Sequence, residues 1–116
     1  DQFKQLMDFI KANPLNVSEN YEYIKSVIDT DNFIDYVVSM IYFANMDWPH
    51  NNVKIWKADG SSPAANETRV TDGRWRWVPF DLDLGFGFHH DANSFEQNTL
   101  ERAANNYFES GFILSP

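Results

Sequence analysis

Apolar residues in the first 45 positions recur every three or four residues, which is the spacing of an α-helix. The pattern predicts a first helix that begins near Phe3 and ends at the Ala-Asn-Pro stretch at 12–14, then a shorter one over 21–28. The sequence DTDN at 29–32 offers a cap and first-turn acids, so we predict a third helix over 31–45.

The third predicted helix is apolar nearly all round. One face of it is formed by Phe33, Ile34, Val37, Val38, Ile41 and Tyr42. Tyr36, Met40 and Phe43 fill much of the remaining surface. A helix without a polar face is typical of a domain interior, so we expect this helix to be central and buried.

The period changes from helical to alternating after residue 52. The segments VKIWK at 53–57 and RWRWVPF at 74–80 alternate and are rich in β-forming residues. The residues between them contain two Asp-Gly pairs, which are typical of turns. We therefore predict a β-hairpin with a long loop, and an α+β fold for the chain.

The residues after the hairpin divide into a loop and a helix. The sequence DLDLGFGFHHD at 81–91 supplies glycines and acids without periodicity, which predicts a loop. Ser94 and Gln97 resemble a capping box, so we predict a helix that starts there and continues through Leu100 and Ala104.

Side chains suited to catalysis or metal binding lie just before the first strand of the predicted hairpin and just after its second strand. Asp47 and Asn52 precede the first strand, within the polar sequence NMDWPHNN at 45–52. Asp81 and Asp83 follow the second strand. Because an antiparallel hairpin brings its two open ends together, we expect these acids to lie close to one another.

The order of these residues is that of a kinase active site. Asp47 and Asn52 have the spacing of the kinase catalytic loop, in which the Asp accepts the substrate hydroxyl proton and the Asn holds Mg²⁺. Asp83-Leu84-Gly85 matches the later D-F-G motif, whose Asp binds metal. The Asp–Asn spacing is common by chance, but the order of buried helix, Asp–Asn loop, hairpin and Asp-rich loop is more specific.

Two longer stretches carry a family resemblance. YFANMDWPHNNVKIWK and GRWRWVPFDLDLGFG resemble the motifs of the CotH kinase family, atypical kinases first associated with spore coats, and the match extends over 33–87. The resemblance implies a helical kinase-like C-lobe core with a β-hairpin that carries the catalytic and metal-binding loops. It also implies transfer of phosphate from ATP, with Mg²⁺ or Mn²⁺, to Ser or Thr of secreted or coat proteins, outside the cell or at its surface.

The same resemblance assigns roles to individual residues. Asp47 corresponds to the catalytic base, and Asn52 and Asp81 correspond to ligands of the metal and the nucleotide. Asn51 and His50 are expected to support the catalytic loop through hydrogen bonds.

The principal metal ligand after the hairpin has two candidates. The D-L-G match favours Asp83, whereas the family motif favours Asp81, the first Asp after Pro-Phe. We prefer Asp81 because the Pro-Phe-Asp anchor belongs to a longer match, and we keep Asp83 as a second metal-site residue.

A kinase also needs parts that are not recognisable in these 116 residues. There is no Gly-rich phosphate loop and no strand Lys paired with a helix Glu, and Lys54 and Lys57 come after the catalytic loop. We therefore expect residues 1–116 to be a single partial domain that is inactive alone. The missing N-lobe of the same chain, together with the rest of the C-lobe, would complete it.

Composition narrows the expected partners. The chain has 17 acidic and 9 basic residues and a formal net charge of -8. Such a surface repels phosphate backbones, so we expect no nucleic-acid partner, and the protein substrate is what the family resemblance implies. No apolar run approaches the roughly 18 residues of a membrane span.

Two other functions fit parts of the sequence. Trp75 and Trp77 would stack on sugars in a non-enzymatic surface or carbohydrate-binding module, although packing in the hairpin core is the preferred interpretation. Arg74 and Arg76 lie on the other face of the same strand. We expect them to pair with surface acids, which is commoner than pairing with a phosphate. A carboxylate-pair glycosidase would need two acids about 5–9.5 Å apart on opposite sides of a cleft.

Overall fold

Four helices and two short strands make up the part of the chain that the structure describes. The computed structural model describes residues 2–49, 51–59, 71–87, 96 and 98–104. The elements, in chain order, are α1 (Gln2–Ala12), α2 (Ser18–Val27), α3 (Thr30–Tyr42), β1 (Lys54–Trp56), β2 (Arg76–Val78) and α4 (Thr99–Ala104). The predicted α+β class is confirmed. The likeness of this arrangement to a kinase C-lobe stays a prediction.

The predicted hairpin is confirmed, with shorter strands than the sequence pattern suggests. β1 and β2 pair antiparallel, with Ile55 opposite Trp77 at the centre of the register. The first residue of β1 and the last of β2 are partners, so the hairpin's open end lies directly beside the loops at 47–52 and 81–83.

The prediction for α3 is confirmed in part: half of the predicted apolar face packs against the core, and the other half is exposed. Tyr36 and Met40 are the buried residues of this helix, at 1% and 0% exposed. Ile34, Val38 and Tyr42, assigned to the core from the sequence, are 56%, 59% and 73% exposed. No helix in the described ranges, α3 included, has the length and apolar character needed to cross a membrane.

Two tryptophans pack against α3 and determine which of its sides is buried. Trp48, fully buried, lies edge-on to Tyr36 with 6.3 Å between ring centroids. Trp77 is also buried, and its ring centroid lies 4.7 Å from that of Phe33. The core packing preferred for Trp77 is therefore confirmed, and this side chain is not available as a surface platform for sugars.

The junction between α2 and α3 holds the start of β2 through its backbone. Trp75 donates its N–H to the carbonyl of Val27 at 2.8 Å and accepts from the N–H of Asp29 at 3.0 Å. The side chain of Asn32 continues the pairing, since it accepts from the N–H of Trp77 at 2.8 Å and donates to its carbonyl at 3.2 Å. The hairpin is thus fixed to the helices at Trp77, four residues before Asp81.

A buried ion pair reinforces this junction. The Oδ2 atom of Asp29 accepts from Nε of Arg76 at 3.1 Å and lies 2.9 Å from its Nη2. Asp29 also caps α3, because its Oδ1 accepts from the N–H of Asn32 at 3.2 Å. The expected pairing of Arg76 with a surface acid is confirmed for Asp72, which is 3.0 Å away, whereas the buried partner Asp29 was not expected.

The last described helix begins later than predicted. α4 starts at Thr99, and Asn98 caps it by accepting from the N–H of Glu101 at 3.0 Å. The predicted capping residues Ser94 and Gln97 lie outside the described residues. Thr99 and Ala103 are the buried positions of α4, so this face attaches the helix to the core.

The Asp29–Arg76 pair should contribute strongly to the stability of the chain. Asn is as good a helix cap as Asp, so Asp29→Asn removes the charge and keeps the cap. We expect the free energy of unfolding to fall by about 3 kcal/mol, because the buried Arg76 charge loses its buried carboxylate partner. Urea titration followed by circular dichroism measures the loss. Asp8→Asn is the matched control, since it breaks the exposed pair with Lys4 and should cost less than about 1 kcal/mol. Equal losses would contradict a stabilising buried pair.

Candidate functional site

The loop that follows α3 places Asp47 at the open end of the hairpin. Asn45 is fully buried, and its Oδ1 accepts from the N–H of Asp47 at 3.1 Å, which forms a tight Asx-type turn. Trp48, the next residue, is buried in the core and anchors the turn. The Asp47 carbonyl then accepts from the N–H of Asn51 at 2.8 Å.

Two side-chain amides orient the carboxylate of Asp47. Nδ2 of Asn52 donates to Oδ2 of Asp47 at 3.2 Å, and Nδ2 of Asn51 donates to the same oxygen at 3.4 Å. Both donors engage the same carboxylate oxygen, Oδ2. The structure therefore brings together Asp47, Asn51 and Asn52 as one hydrogen-bonded group.

Asn45 also ties this loop to the one after the hairpin. Its Nδ2 donates to the carbonyl of Asp81 at 3.2 Å, across 36 positions of sequence. One buried amide thus contacts the backbone of both Asp47 and Asp81. Asn45 was not among the predicted site residues, although an Asn just after a helix and two positions before Asp47 is a signal for such a turn.

Backbone pairing brings the two loops into close contact beyond Asn45. The N–H of Met46 donates to the carbonyl of Leu84 at 3.3 Å, and the N–H of Phe86 donates to that of Phe43 at 2.7 Å. A Cβ atom at Gly85 would lie 3.1 Å from the Phe43 carbonyl oxygen and 3.0 Å from that of Leu82. Glycine at this position therefore permits the close approach of the two loops.

The acids of the second loop repel one another. A hydrogen bond with the Asp83 side chain raises the pKa of Asp81 above its usual value of 3.8, and lost hydration acts in the same direction. The negative charges of Asp83 and Asp47 raise this pKa further. The negative charge of Asp47 therefore raises the pKa of Asp81 from the other loop. This effect agrees with the approach of the two loops that the hairpin predicts.

Unusual backbone conformations concentrate at the same place. In the described residues, the non-glycine positions with positive φ are Ala44, Asn52, Asp81 and Phe86, with values between 49° and 56°. All four lie in the two loops that meet at the end of the hairpin. Asn and Asp tolerate this left-handed region better than other side chains, but Ala and Phe do not, and such residues cluster at functional sites.

Arg102, which no sequence pattern singles out, also contacts the Asp47 loop. Nη2 of Arg102, in α4, donates to the carbonyl of Met46 at 2.7 Å and to that of Trp48 at 3.1 Å. Burial lowers the pKa of Arg102, while the negative charge of Asp47 acts to raise it. Contacts from a side chain to a distant backbone leave no spacing signal, so a motif search cannot find them.

The oxygen donors at the site fit a hard divalent cation. Asp81 and Asp83 offer carboxylates, and the amide oxygen of Asn52 is left for a cation because its Nδ2 group binds Asp47. Within the described ranges, no three His, Cys, Asp or Glu side chains are grouped closely enough to hold a metal by themselves. Mg²⁺ in phosphotransferases is commonly held by one or two carboxylates together with substrate phosphates and water, so this donor set is sufficient.

One predicted site residue cannot be placed. His50 lies outside the described residues, so its expected support of the loop stays a prediction.

Lys54, excluded from a phosphate-binding role by its position in the sequence, instead places its ammonium group 4.1 Å from the ring centroid of Phe80.

Comparison with known proteins gives one match. The family model described as CotH kinase protein matches residues 1–114, nearly the whole chain. Neither the curated proteins nor the solved structures give a match.

The repulsion at Asp81 predicts a pH-dependent stability. Because its pKa is higher in the folded chain than the usual 3.8, the folded state is favoured while Asp81 is protonated. That contribution is lost as the pH rises from 3.8 through the raised pKa. Asp81→Asn keeps a residue suited to positive φ and removes the charge, so it should raise the melting temperature at about pH 7 without divalent cations and change it little at about pH 3.

Thermal unfolding of both proteins at the two pH values measures this difference. Asp35→Asn, which removes an exposed acid from α3, is the matched control for a change in net charge. A variant destabilised at neutral pH, or stabilised no more than the control, would contradict the repulsion.

Proposed function

Because the chain belongs to the CotH kinase protein family, we propose that its full-length parent transfers the terminal phosphoryl group of ATP to Ser or Thr side chains of a protein substrate. The observation that carries the proposal is the meeting of the Asp47 and Asp81 loops through the buried amide of Asn45, which lies 36 positions before Asp81. The order of the elements supports it, because the hairpin separates an Asp–Asn loop from an Asp-rich loop as in kinases.

Asp47 is proposed to accept the proton of the attacking hydroxyl. Its Oδ2 is held by the amides of Asn51 and Asn52, which fixes the direction of the carboxylate. A base that is already oriented does not have to be ordered during the reaction, which is how positioning lowers the barrier to phosphoryl transfer.

Asn52, Asp81 and Asp83 are proposed to hold Mg²⁺ or Mn²⁺ at the phosphates of ATP. When bound, the cation would neutralise the negative charge of the phosphates. The residues would supply amide and carboxylate oxygens, which are hard ligands suited to either cation. A cation would also relieve the repulsion that raises the pKa of Asp81.

Asp81 is favoured over Asp83 as the principal ligand. Its carbonyl is fixed by Asn45 at 3.2 Å, and its positive φ of 55° holds the backbone in a conformation that the fold must maintain. The charge of Asp47 also contributes to the raised pKa of Asp81. These observations support Asp81 as the principal ligand, with Asp83 as its neighbour in the same loop.

The two alternative functions have less support. A carbohydrate-binding surface built on Trp75 and Trp77 loses one of its rings, since Trp77 is buried. Trp75 packs edge-on against Phe3 with 5.2 Å between ring centroids. A carboxylate-pair glycosidase has less support, because the family match is to a kinase.

The remaining parts of the proposal concern the parent protein. We propose that its N-lobe covers the nucleotide and that residues 1–116 need it for activity. A secreted or coat protein as the substrate, and a location outside the cell or at its surface, follow from the family resemblance alone and stay predictions.

Replacement of Asp47 should separate binding from transfer. In the full-length parent, Asp47→Asn keeps an acceptor for Asn51 and Asn52 but cannot take a proton. We expect transfer to fall by about 10²–10⁴-fold, with affinity for ATP and Mn²⁺ within about threefold of wild type. Phosphate-transfer assays and calorimetry measure the two quantities, and Asp35→Asn serves as the control. Wild-type transfer by the Asp47 variant would remove the proposed base.

Replacement of the other two acids should show which one is the principal ligand. Asp81→Asn should abolish metal-dependent ATP binding in the parent, because it deletes a charged ligand of a hard cation. Asp83→Asn should weaken binding less, since we assign it to orientation of the loop and ligand. Calorimetry with ATP and Mn²⁺ compares the two variants directly. If Asp83→Asn abolishes binding and Asp81→Asn only weakens it, Asp83 is the principal ligand.

A further inference from the structure

We infer that Arg102 is a positioning residue that holds Asp47 in place for phosphoryl transfer. This inference rests on the proposed function, because it assigns Asp47 the role of base. The structure supports it through a side chain from α4 that reaches the backbone on both sides of Asp47.

The two carbonyls that Arg102 binds are those of the residues that flank Asp47. Nη2 lies 2.7 Å from the Met46 oxygen and 3.1 Å from the Trp48 oxygen, while Nη1 lies 3.3 Å from Sδ of Met46. The peptide units before and after the Asp47 turn are therefore fixed by one planar group. Hydrogen bonds from a charged donor are roughly twice as strong as neutral ones, so the restraint is substantial.

Packing of α4 does not account for this use of the side chain. Thr99 and Ala103 are the buried residues of the helix and attach it to the core. Arg102 extends from the same helix to the catalytic loop, across 56 positions of sequence to Met46. Its hydrogen bonds therefore restrain the backbone around Asp47, whereas Thr99 and Ala103 attach α4 to the core.

The consequence for the reaction is geometric. Asn45, Asn51 and Asn52 orient Asp47 from within its own loop, and Arg102 fixes that loop from outside. A misplacement of about 1 Å in a catalytic group costs on the order of 10²-fold in rate. Loss of the guanidinium should therefore lower kcat, while the affinity for ATP should fall less, because two of its three proposed metal ligands, Asp81 and Asp83, lie on the other loop.

The test compares Arg102→Met and Arg102→Lys in the full-length parent. Met keeps most of the apolar stem without the donors, and Lys keeps the charge but lacks the planar fork that reaches two carbonyls together. We expect kcat to fall about 10–100-fold with Met and less with Lys, with KM for ATP within about threefold of wild type in both. Lys4→Met is the control, because Lys4 is exposed on α1, pairs with Asp8 away from both site loops, and should leave kcat unchanged.

Hydrogen–deuterium exchange adds a readout that does not depend on activity. In both Arg102 variants, backbone amides over 46–52 should exchange faster than in wild type, while those near the Ile28–Trp75 bridge should remain protected. A folded Arg102 variant with wild-type kcat or unchanged exchange over 46–52 would overturn the inference. So would equal losses in kcat and ATP affinity.

Two further outcomes are also decisive. If the Met variant does not fold, the Lys variant decides by the same criteria. If the wild-type parent transfers no phosphate, the proposed function fails, and exchange over 46–52 alone then shows whether Arg102 restrains the Asp47 loop.

Discussion

The buried side chain of Asn45 makes two hydrogen bonds on which the arrangement of the acidic site depends. Its oxygen accepts from the backbone of Asp47, and its amide nitrogen donates to the backbone of Asp81. Asn45 is fully shielded from water, so the loss of either partner would leave a polar group unsatisfied at a cost of about 1–3 kcal/mol. The amide therefore favours one relative placement of the two loops, and that placement brings the acids together.

The rest of the fold supports this link from two sides. The α2–α3 junction holds β2 through the Trp75 backbone pairing and the Asp29–Arg76 ion pair, which fixes where the second loop starts. α4 holds the first loop through Arg102. The site itself opposes folding, because its acids repel one another and each left-handed non-glycine residue costs about 1–3 kcal/mol. The buried contacts around the site offset these costs, and a bound cation would relieve the repulsion.

Some of this could be predicted from the sequence, for identifiable reasons. The change from helical to alternating period located the hairpin, and antiparallel pairing alone implied that Asp47 and Asp81 would approach one another. Which apolar residues of α3 are buried could not be predicted, because apolar residues surround the helix. Only its tertiary partners, Trp48 and Trp77, determine the buried side. The link through Asn45 and the contacts of Arg102 depend on long-range geometry that local spacing does not encode. The roles of the acids still rest on the family resemblance and on chemical reasoning.

The central claim is that the two joined loops form one metal–nucleotide site, and a crystal structure of the full-length parent with Mn²⁺ and a non-hydrolysable ATP analogue tests it most directly. Anomalous scattering would locate the manganese without reference to the refined side chains. The account predicts a peak within about 2.0–2.6 Å of oxygens from Asn52 and Asp81, the range of hard-cation coordination, with the analogue's terminal phosphate facing Asp47. A manganese peak bound elsewhere, with Asp81 and Asn52 making no contact to metal or phosphate, would contradict it.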